Sequence, residues 1–266
     1  MKFQESNGLR YLTFDIFPKE VVHGIFTRQG GLSPEPWDSL NLGGTVGDDL
    51  DRVRENRYRT FAALGRSRQS IFDVWQVHSS DVVIATSSHA HSNTHPEFKA
   101  DGIVTEKQDI SLFMRFADCT PVLLYDPVKK AIGIVHAGWQ GTVKKVSSQT
   151  VKVMQAAFGS KPDDILAAIG PAIGPDHYEV GRNVIEQVNY AFEDHAASLL
   201  IEHEDKVYFD LWAANKIVLE QAGVKNIEVA GICTACNLTD WYSHRAEKGK
   251  TGRFCALIAL DTVKAH

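Results

Sequence analysis

Apolar and polar residues alternate from about residue 11 to residue 27, a run that ends in His23-Gly-Ile-Phe-Thr-Arg-Gln-Gly-Gly31 and predicts a strand entering a glycine turn. Ser33 to Gly43 carries two prolines among turn formers and predicts a long irregular loop. Asp48 and Asp49 then offer caps for a helix through about Leu64, with Leu50, Val53, Phe61 and Leu64 on one side and Gly65 ending it. Ile71 to Ile84 reads as two strand segments broken at Gln76-Val-His78. Ala100 to Thr105 and Ile110 to Phe116 read as strands leading to Cys119.

Val122 to Tyr125 and Ala131 to Val135 are apolar runs on either side of Asp126-Pro-Val-Lys-Lys130, which predicts strand, turn, strand. Thr142 is the expected cap of a helix carrying Val143, Val146, Val153, Ala157 and Phe158, closed by Gly159 and Pro162. Ile165 to Pro175 predicts a buried strand that breaks into a Gly/Pro loop before His177-Tyr-Glu-Val-Gly181. Helices are expected from Arg182 towards Ala196 and from Asp210 to Ala222, the second stopped by Gly223. Strands follow at Ile227 to Ile232 and Phe254 to Leu260. Hairpins with segregated helices indicate an α+β or mixed α/β sandwich, and no linker or repeat divides residues 1–266, so one domain is expected.

The predicted hairpin places chemistry. Antiparallel partners have a constant sum of residue numbers, and the midpoint of Cys119 and His136 falls inside the turn, so the thiol and the imidazole should be neighbours. Such a pair can be a nucleophile with its base, two ligands of a soft metal such as zinc, or ordinary structure. Asp118 adjoins the cysteine, and the small residues of Ala137-Gly-Trp-Gln-Gly141 let the backbone approach a ligand. His78 is the candidate third donor, and Asp101 can orient a ligand or start a turn. Arg28 stands beside Gly30 and Gly31, a setting suited to phosphate or carboxylate and equally to a plain turn. In the basic glycine loop Trp241 to Arg253, Arg245 and Arg253 can clamp an oxyanion or remain solvated. His89, His91 and His95 sit in a polar tract read as an ordinary surface segment. Cys233-Thr-Ala-Cys236 lacks the second pair of a zinc knuckle and the βαβ setting of a thioredoxin-like site, so it is read as doing neither metal nor redox work.

Composition narrows the classes. The 266 residues are 44% hydrophobic and 23% charged, an ordinary globular balance, and no apolar run approaches a membrane span. A cytoplasmic protein with reduced cysteines is expected, because the first residues carry no apolar leader. A net charge of -5 without a long basic run gives no footprint for nucleic acid or an anionic membrane. Nothing in the pattern specifies an oligomeric state.

Thr27-Arg-Gln-Gly-Gly31, Leu40-Asn-Leu-Gly43, Gln76-Val-His78, Ala117-Asp-Cys119, Val135-His-Ala-Gly-Trp139, Ile169-Gly-Pro-Ala-Ile-Gly174 and Tyr242-Ser-His-Arg245 occur in an order that resembles the YfiH family. That family is also called the laccase-domain or purine nucleoside phosphorylase family and is related to FAMIN. The resemblance implies a four-layer sandwich of mixed sheets between helices and a zinc site formed by His78, Cys119 and His136. It implies phosphorolysis of adenosine, inosine and S-methyl-5′-thioadenosine, with hydrolytic deamination of adenosine. The partners implied are therefore small purine nucleosides and phosphate. Asp118 would shuttle protons in deamination, and Arg28 or Arg245 would donate to the phosphate oxyanion.

This chain departs from the family where it has Trp241-Tyr-Ser-His-Arg-Ala246 in place of a pattern with two arginines, and Asp176-His177 where cysteine is frequent. Two other activities are compatible with the resemblance: an amidase, using Cys119 as nucleophile or a zinc, that edits peptidoglycan precursors, and a copper-dependent polyphenol oxidase. The oxidase requires many histidines, for which His89-Ala-His91 is the one His-x-His pair.

Overall fold

The computed structural model describes residues 1–88 and 98–261, so the tract with His89, His91 and His95 lies outside the described residues. One sheet contains β1 (Lys2–Ser6), β2 (Leu9–Thr13), β3 (Val21–Phe26), β4 (Ile71–Phe72), β7 (Ser111–Phe116) and β14 (Phe254–Leu260), in the order β1-β2-β3-β14-β7-β4. A second contains β5 (Val82–Ile84), β6 (Gly102–Thr105), β8 (Thr120–Asp126), β9 (Ala131–Ala137), β10 (Leu166–Ile169) and β13 (Asn226–Val229), in the order β13-β10-β8-β9-β6-β5. Both are mixed, because β4 with β7, β5 with β6 and β10 with β13 run parallel while the other pairs run antiparallel. A short hairpin, β11 (Leu200–His203) and β12 (Lys206–Phe209), stands apart.

The helices are α1 (Leu50–Ala63), α2 (Trp139–Val143), α3 (Val146–Phe158), α4 (Arg182–Phe192), α5 (Ala196–Leu199) and α6 (Leu211–Gln221). β14 shows why the layers form. All its residues are buried, yet alternate side chains enter different cores: Phe254, Ala256 and Ile258 face the second sheet, whereas Cys255 and Leu257 meet Phe61 and Ala63 of α1. On the far side Val122, Leu124 and Val135 pack against Val151 and Met154 of α3 and Leu219 of α6. Helix, sheet, sheet and helix make the expected α+β four-layer sandwich. Among the described residues no helix is long and apolar enough to cross a membrane.

Local chemistry sets several boundaries. Asp49 caps α1 by accepting from the Asp51 and Arg52 amides, while Asp48 is buried against Ser33, Asn41 and Arg52. The expected cap at Thr142 is corrected. The helix begins earlier, with Gly138 as cap, and Thr142 lies inside it with its hydroxyl accepting from Asn215 Nδ2 at 3.0 Å. Lys145 in the left-handed region then separates α2 from α3. The helix expected towards Ala196 ends at Phe192, before a 3-10 turn at Glu193–His195 and the separate α5.

The hairpin forms, but its register is two positions from a pairing of Cys119 with His136. Thr120 faces Ala137 and Pro121 faces His136, because Asp126 Oδ1 accepts from the Val128 and Lys129 amides at 2.8 and 3.0 Å and moves the reversal along the chain. Cys119 therefore reaches His136 diagonally along one face of the sheet.

Candidate active site

Two corners of the sandwich carry the chemistry. Between β7 and β8 the chain leaves the first sheet for the second through Ala117-Asp118-Cys119, and between β4 and β5 it makes the same change of sheet through Gln76-Val77-His78. Each corner contains a residue with positive φ, Asp118 at 78° and His78 at 58°. This conformation is uncommon outside glycine and is tolerated best by Asn, Asp and His. His136 enters from the end of β9, directed between the sheets where its ring lies 5.5 Å from that of Phe116.

His78, Cys119 and His136 converge, with one ligand atom from each lying within 4.8 Å of the others. Cys119 Sγ is 3.8 Å from His78 Nε2. A tetrahedral ion with bonds of about 2.0 Å to nitrogen and 2.3 Å to sulfur has edges of roughly 3.3–3.8 Å, a range that the Cys119–His78 separation reaches. Gly138 makes this crowding possible: a Cβ there would stand 2.7 Å from Cys119 Sγ and 3.0 Å from His78 Cδ2.

Asp101 resolves in favour of the orienting role. Fully buried, it accepts from His136 Nδ1 through Oδ1 at 2.8 Å and from the Ser79 amide and hydroxyl through Oδ2 at 2.6 and 3.0 Å. His136 Nε2 is thereby left to face the thiol. Burial alone would raise the Cys119 thiol, but the field of His136 and hydrogen bonds from His136 and His78 outweigh it and pull the thiol down to about 6. Burial opposes charge on His136 as well, and the Cys119 and Asp101 anions override it, raising the imidazole to about 9. Without metal the pair rests as thiolate and imidazolium, so a cation entering here displaces a proton.

These groups stand in a cleft of about 480 Å³, a size suited to a small organic ligand. Trp75, Trp139 and Tyr178 supply aromatic walls, Arg115, Arg245 and Arg253 supply positive charge, and Gly43-Gly44-Thr45 supplies a stretch of backbone. A recess lined by Trp139, Gln140, Ile173 and Leu211 extends from the same cluster. Arg245 lies 5.2 Å over the Tyr178 ring and donates through Nη1 to the Glu179 carbonyl, while Arg253 donates through Nη1 to the Thr251 and Gly252 carbonyls. Arg115 is committed elsewhere by Nε to Gln76 Oε1, Nη1 to Asp73 Oδ2 and Nη2 to the Val74 carbonyl.

Asp118 lines the cleft, but its carboxylate is engaged by protein donors, the Thr234 hydroxyl at 2.7 Å and the Arg245 amide at 2.6 Å. Its position suits holding the Arg245 loop more than shuttling a proton. For Arg28 the expected location is corrected. It is buried outside the cleft lining, donating through Nε to the Asp38 carbonyl, through Nη1 to the Leu238 carbonyl and Glu247 Oε1, and through Nη2 to Asp38 Oδ1, with its guanidinium 4.3 Å over Tyr242. Arg28 ties two loops together, whereas Arg245 and Arg253 line the cleft.

Residues 22–261 match the family described as "Multi-copper polyphenol oxidoreductase laccase". The chain is 38% identical over 240 residues to a protein of Deinococcus radiodurans named purine nucleoside phosphorylase, covering 90% of this chain and 89% of that one. It is 36% identical over 250 residues to purine nucleoside phosphorylase YlmD of Bacillus subtilis, covering 91% and 89% of the two chains. The crystal structure of YlmD from Geobacillus stearothermophilus superposes with a TM-score of 0.90 at 33% identity, over 97% of this chain and 98% of that one.

Proposed function

The chain belongs to the laccase-like family that includes the YfiH and YlmD proteins, and from that premise we propose that it is a zinc-dependent purine nucleoside phosphorylase that also deaminates adenosine. Its proposed substrates are adenosine, inosine and S-methyl-5′-thioadenosine. The observation that carries this reading is the convergence of His78, Cys119 and His136 in a cleft that also presents aromatic walls and two arginines.

His78, Cys119 and His136 would hold the metal, which supplies Lewis acidity towards a substrate oxygen and activates water for deamination. Trp75, Trp139 and Tyr178 are suited to pack on the faces of a purine. Arg245 and Arg253 are placed to hold phosphate for attack on the anomeric carbon as the purine leaves, through charge-assisted bonds that deamination does not require. Asp118 fixes the backbone of Arg245, and Asp101 fixes the tautomer of His136.

A second reading has its own support. Cys119, His136 and Asp101 form an arrangement of thiolate, imidazole and carboxylate that also suits a cysteine nucleophile, as an amidase acting on peptidoglycan precursors would need. Copper also accepts two imidazoles and a thiolate. The family's oxidase description is less well supported, because the other donor cluster among the described residues contains a single histidine.

The test is to incubate zinc-loaded protein with each nucleoside, with and without phosphate, and separate the products by chromatography. Free base and the matching sugar 1-phosphate (ribose 1-phosphate, or 5-methylthioribose 1-phosphate from S-methyl-5′-thioadenosine) appearing only with phosphate, and inosine forming from adenosine, are the expected results. Absence of phosphate-dependent base release from all three nucleosides would overturn the phosphorylase assignment. Metal-free protein that cleaves an amide through an alkylatable Cys119 would favour the second reading.

A further inference from the structure

Cys233-Thr-Ala-Cys236 lacks a second pair in the sequence, but the fold supplies other donors. The loop after β10 turns tightly, the His177 and Tyr178 amides both donating to the Gly174 carbonyl, and brings Asp176 and His177 against the two cysteines. His177 Nδ1 lies 3.4 Å from Cys236 Sγ, 3.8 Å from Cys233 Sγ and 3.0 Å from Asp176 Oδ2, and Cys236 Sγ lies 3.1 Å from the same carboxylate oxygen. His177 Nδ1, both sulfurs and the Asp176 carboxylate thus crowd one point, where a single cation would be ligated by all four groups. These separations approximate the edges of roughly 3.3–3.8 Å of a tetrahedron around zinc with nitrogen and sulfur ligands.

Two further features support a built site. The Gly174 amide donates to Cys233 Sγ at 3.2 Å, which fixes the position of that sulfur. A Cβ at Gly174 would stand 2.6 Å from Asp176 Oδ1 and 3.1 Å from Cys233 Cβ, so the absence of a side chain lets the two loops close together.

We propose that Asp176, His177, Cys233 and Cys236 form a second zinc site, closed by four protein ligands and structural in role. Its position gives that role content. Tyr178, the residue after His177, walls the cleft, and Thr234, between the two cysteines, donates to Asp118 Oδ1 at 2.7 Å. The second zinc fastens together the loops that set these two cleft residues. The assignment does not depend on the metal or the reaction proposed for the cleft.

The test measures zinc per chain by elemental analysis after expression with zinc, purification under reductant and desalting. A Cys119→Ala, His136→Ala background removes the cleft ligands. That background should retain about one zinc per chain, and adding Cys236→Ser or His177→Gln should lower it at least tenfold. In the otherwise unaltered protein, Cys236→Ser should lower the stoichiometry by one. Because Cys236 and His177 are exposed, circular dichroism should show both variants folded. Cobalt loaded into the background should give a thiolate charge-transfer absorption that weakens on loss of either cysteine. A background that binds no zinc, or zinc retained through both substitutions, would overturn the proposal. Thiols at 233 and 236 that remain freely titratable by a disulfide reagent in zinc-loaded protein would also overturn it.

Discussion

Asp101 touches His136 through one carboxylate oxygen and holds the turn after His78 through the other. One buried group thus positions two histidines of the cluster from two different segments. Changing Asp101→Asn replaces an acceptor with a donor where His136 or the Ser79 amide needs an acceptor, and should weaken zinc binding by about 10–100-fold. Competition with a chromophoric chelator measures this, and unchanged affinity would show that His136 needs no such orientation.

The imidazolium beside Cys119 makes a prediction about reactivity. The metal-free thiol, held near 6, should be about ten to one in the thiolate form at pH 7, and alkylation by iodoacetamide should rise through pH 6 and then level. The sign follows from charge. A depressed thiol loses its proton at lower pH than an ordinary cysteine, so acidification below 6 protects it. Mass spectrometry of the Cys119 peptide across pH reads the midpoint, and zinc should suppress the reaction at neutral pH. A midpoint near that of a free cysteine would contradict the proposed ion pair.

Cys119→Ala should lower nucleoside turnover by about 100-fold or more while leaving the fold intact, because it removes a proposed metal ligand but little core volume. Arg245→Ala and Arg253→Ala should each reduce phosphorolysis by about 10–100-fold, equivalent to roughly 1.5–3 kcal/mol of lost charge-assisted bonding, with a smaller effect on deamination. Arg28→Ala should instead lower stability by about 2–3 kcal/mol, because it unties Asp38 and Glu247. Product-resolved kinetics beside thermal melts separate these outcomes. Equal losses of both reactions in the Arg245 and Arg253 variants would assign those side chains to the nucleoside.

Gly138 has φ of -72°, which alanine adopts freely, so Gly138→Ala tests space alone. The added methyl should displace Cys119 and His78 and lower zinc affinity at the cleft at least tenfold, with the melting temperature of the metal-free protein changed by only a few degrees. Normal affinity would mean that the ligand corners yield more easily than their short contacts suggest.

Much of this arrangement was legible because local rules coincided with the tertiary solution. Gly65, Gly159 and Gly223 all adopt the positive φ that ends their helices, and the hairpin brings Cys119 to His136 despite its shifted register. β1 and the β11–β12 hairpin leave no clear signal in the sequence because they are short and largely exposed, with weak apolar patterning. Proximity of Arg28 to glycines did not reveal that its side chain turns inward towards Glu247. The cleft walls Trp75 and Tyr178 come from segments with no mutual spacing, and Asp176 and His177 meet cysteines more than fifty residues away only after β10 and β13 pair. Such contacts have no periodicity to read.

The two corners where the chain changes sheets also determine what seals that end of the sandwich. Elsewhere its layers cohere mainly through apolar side chains, which tolerate small sliding movements. Here the seal is a set of directional donors attached to both sheets, so a cation bound among them would act as a rivet against shear. Occupancy of the cleft and alignment of the two sheets are then one coupled variable, and the metal-free protein should breathe first at this edge.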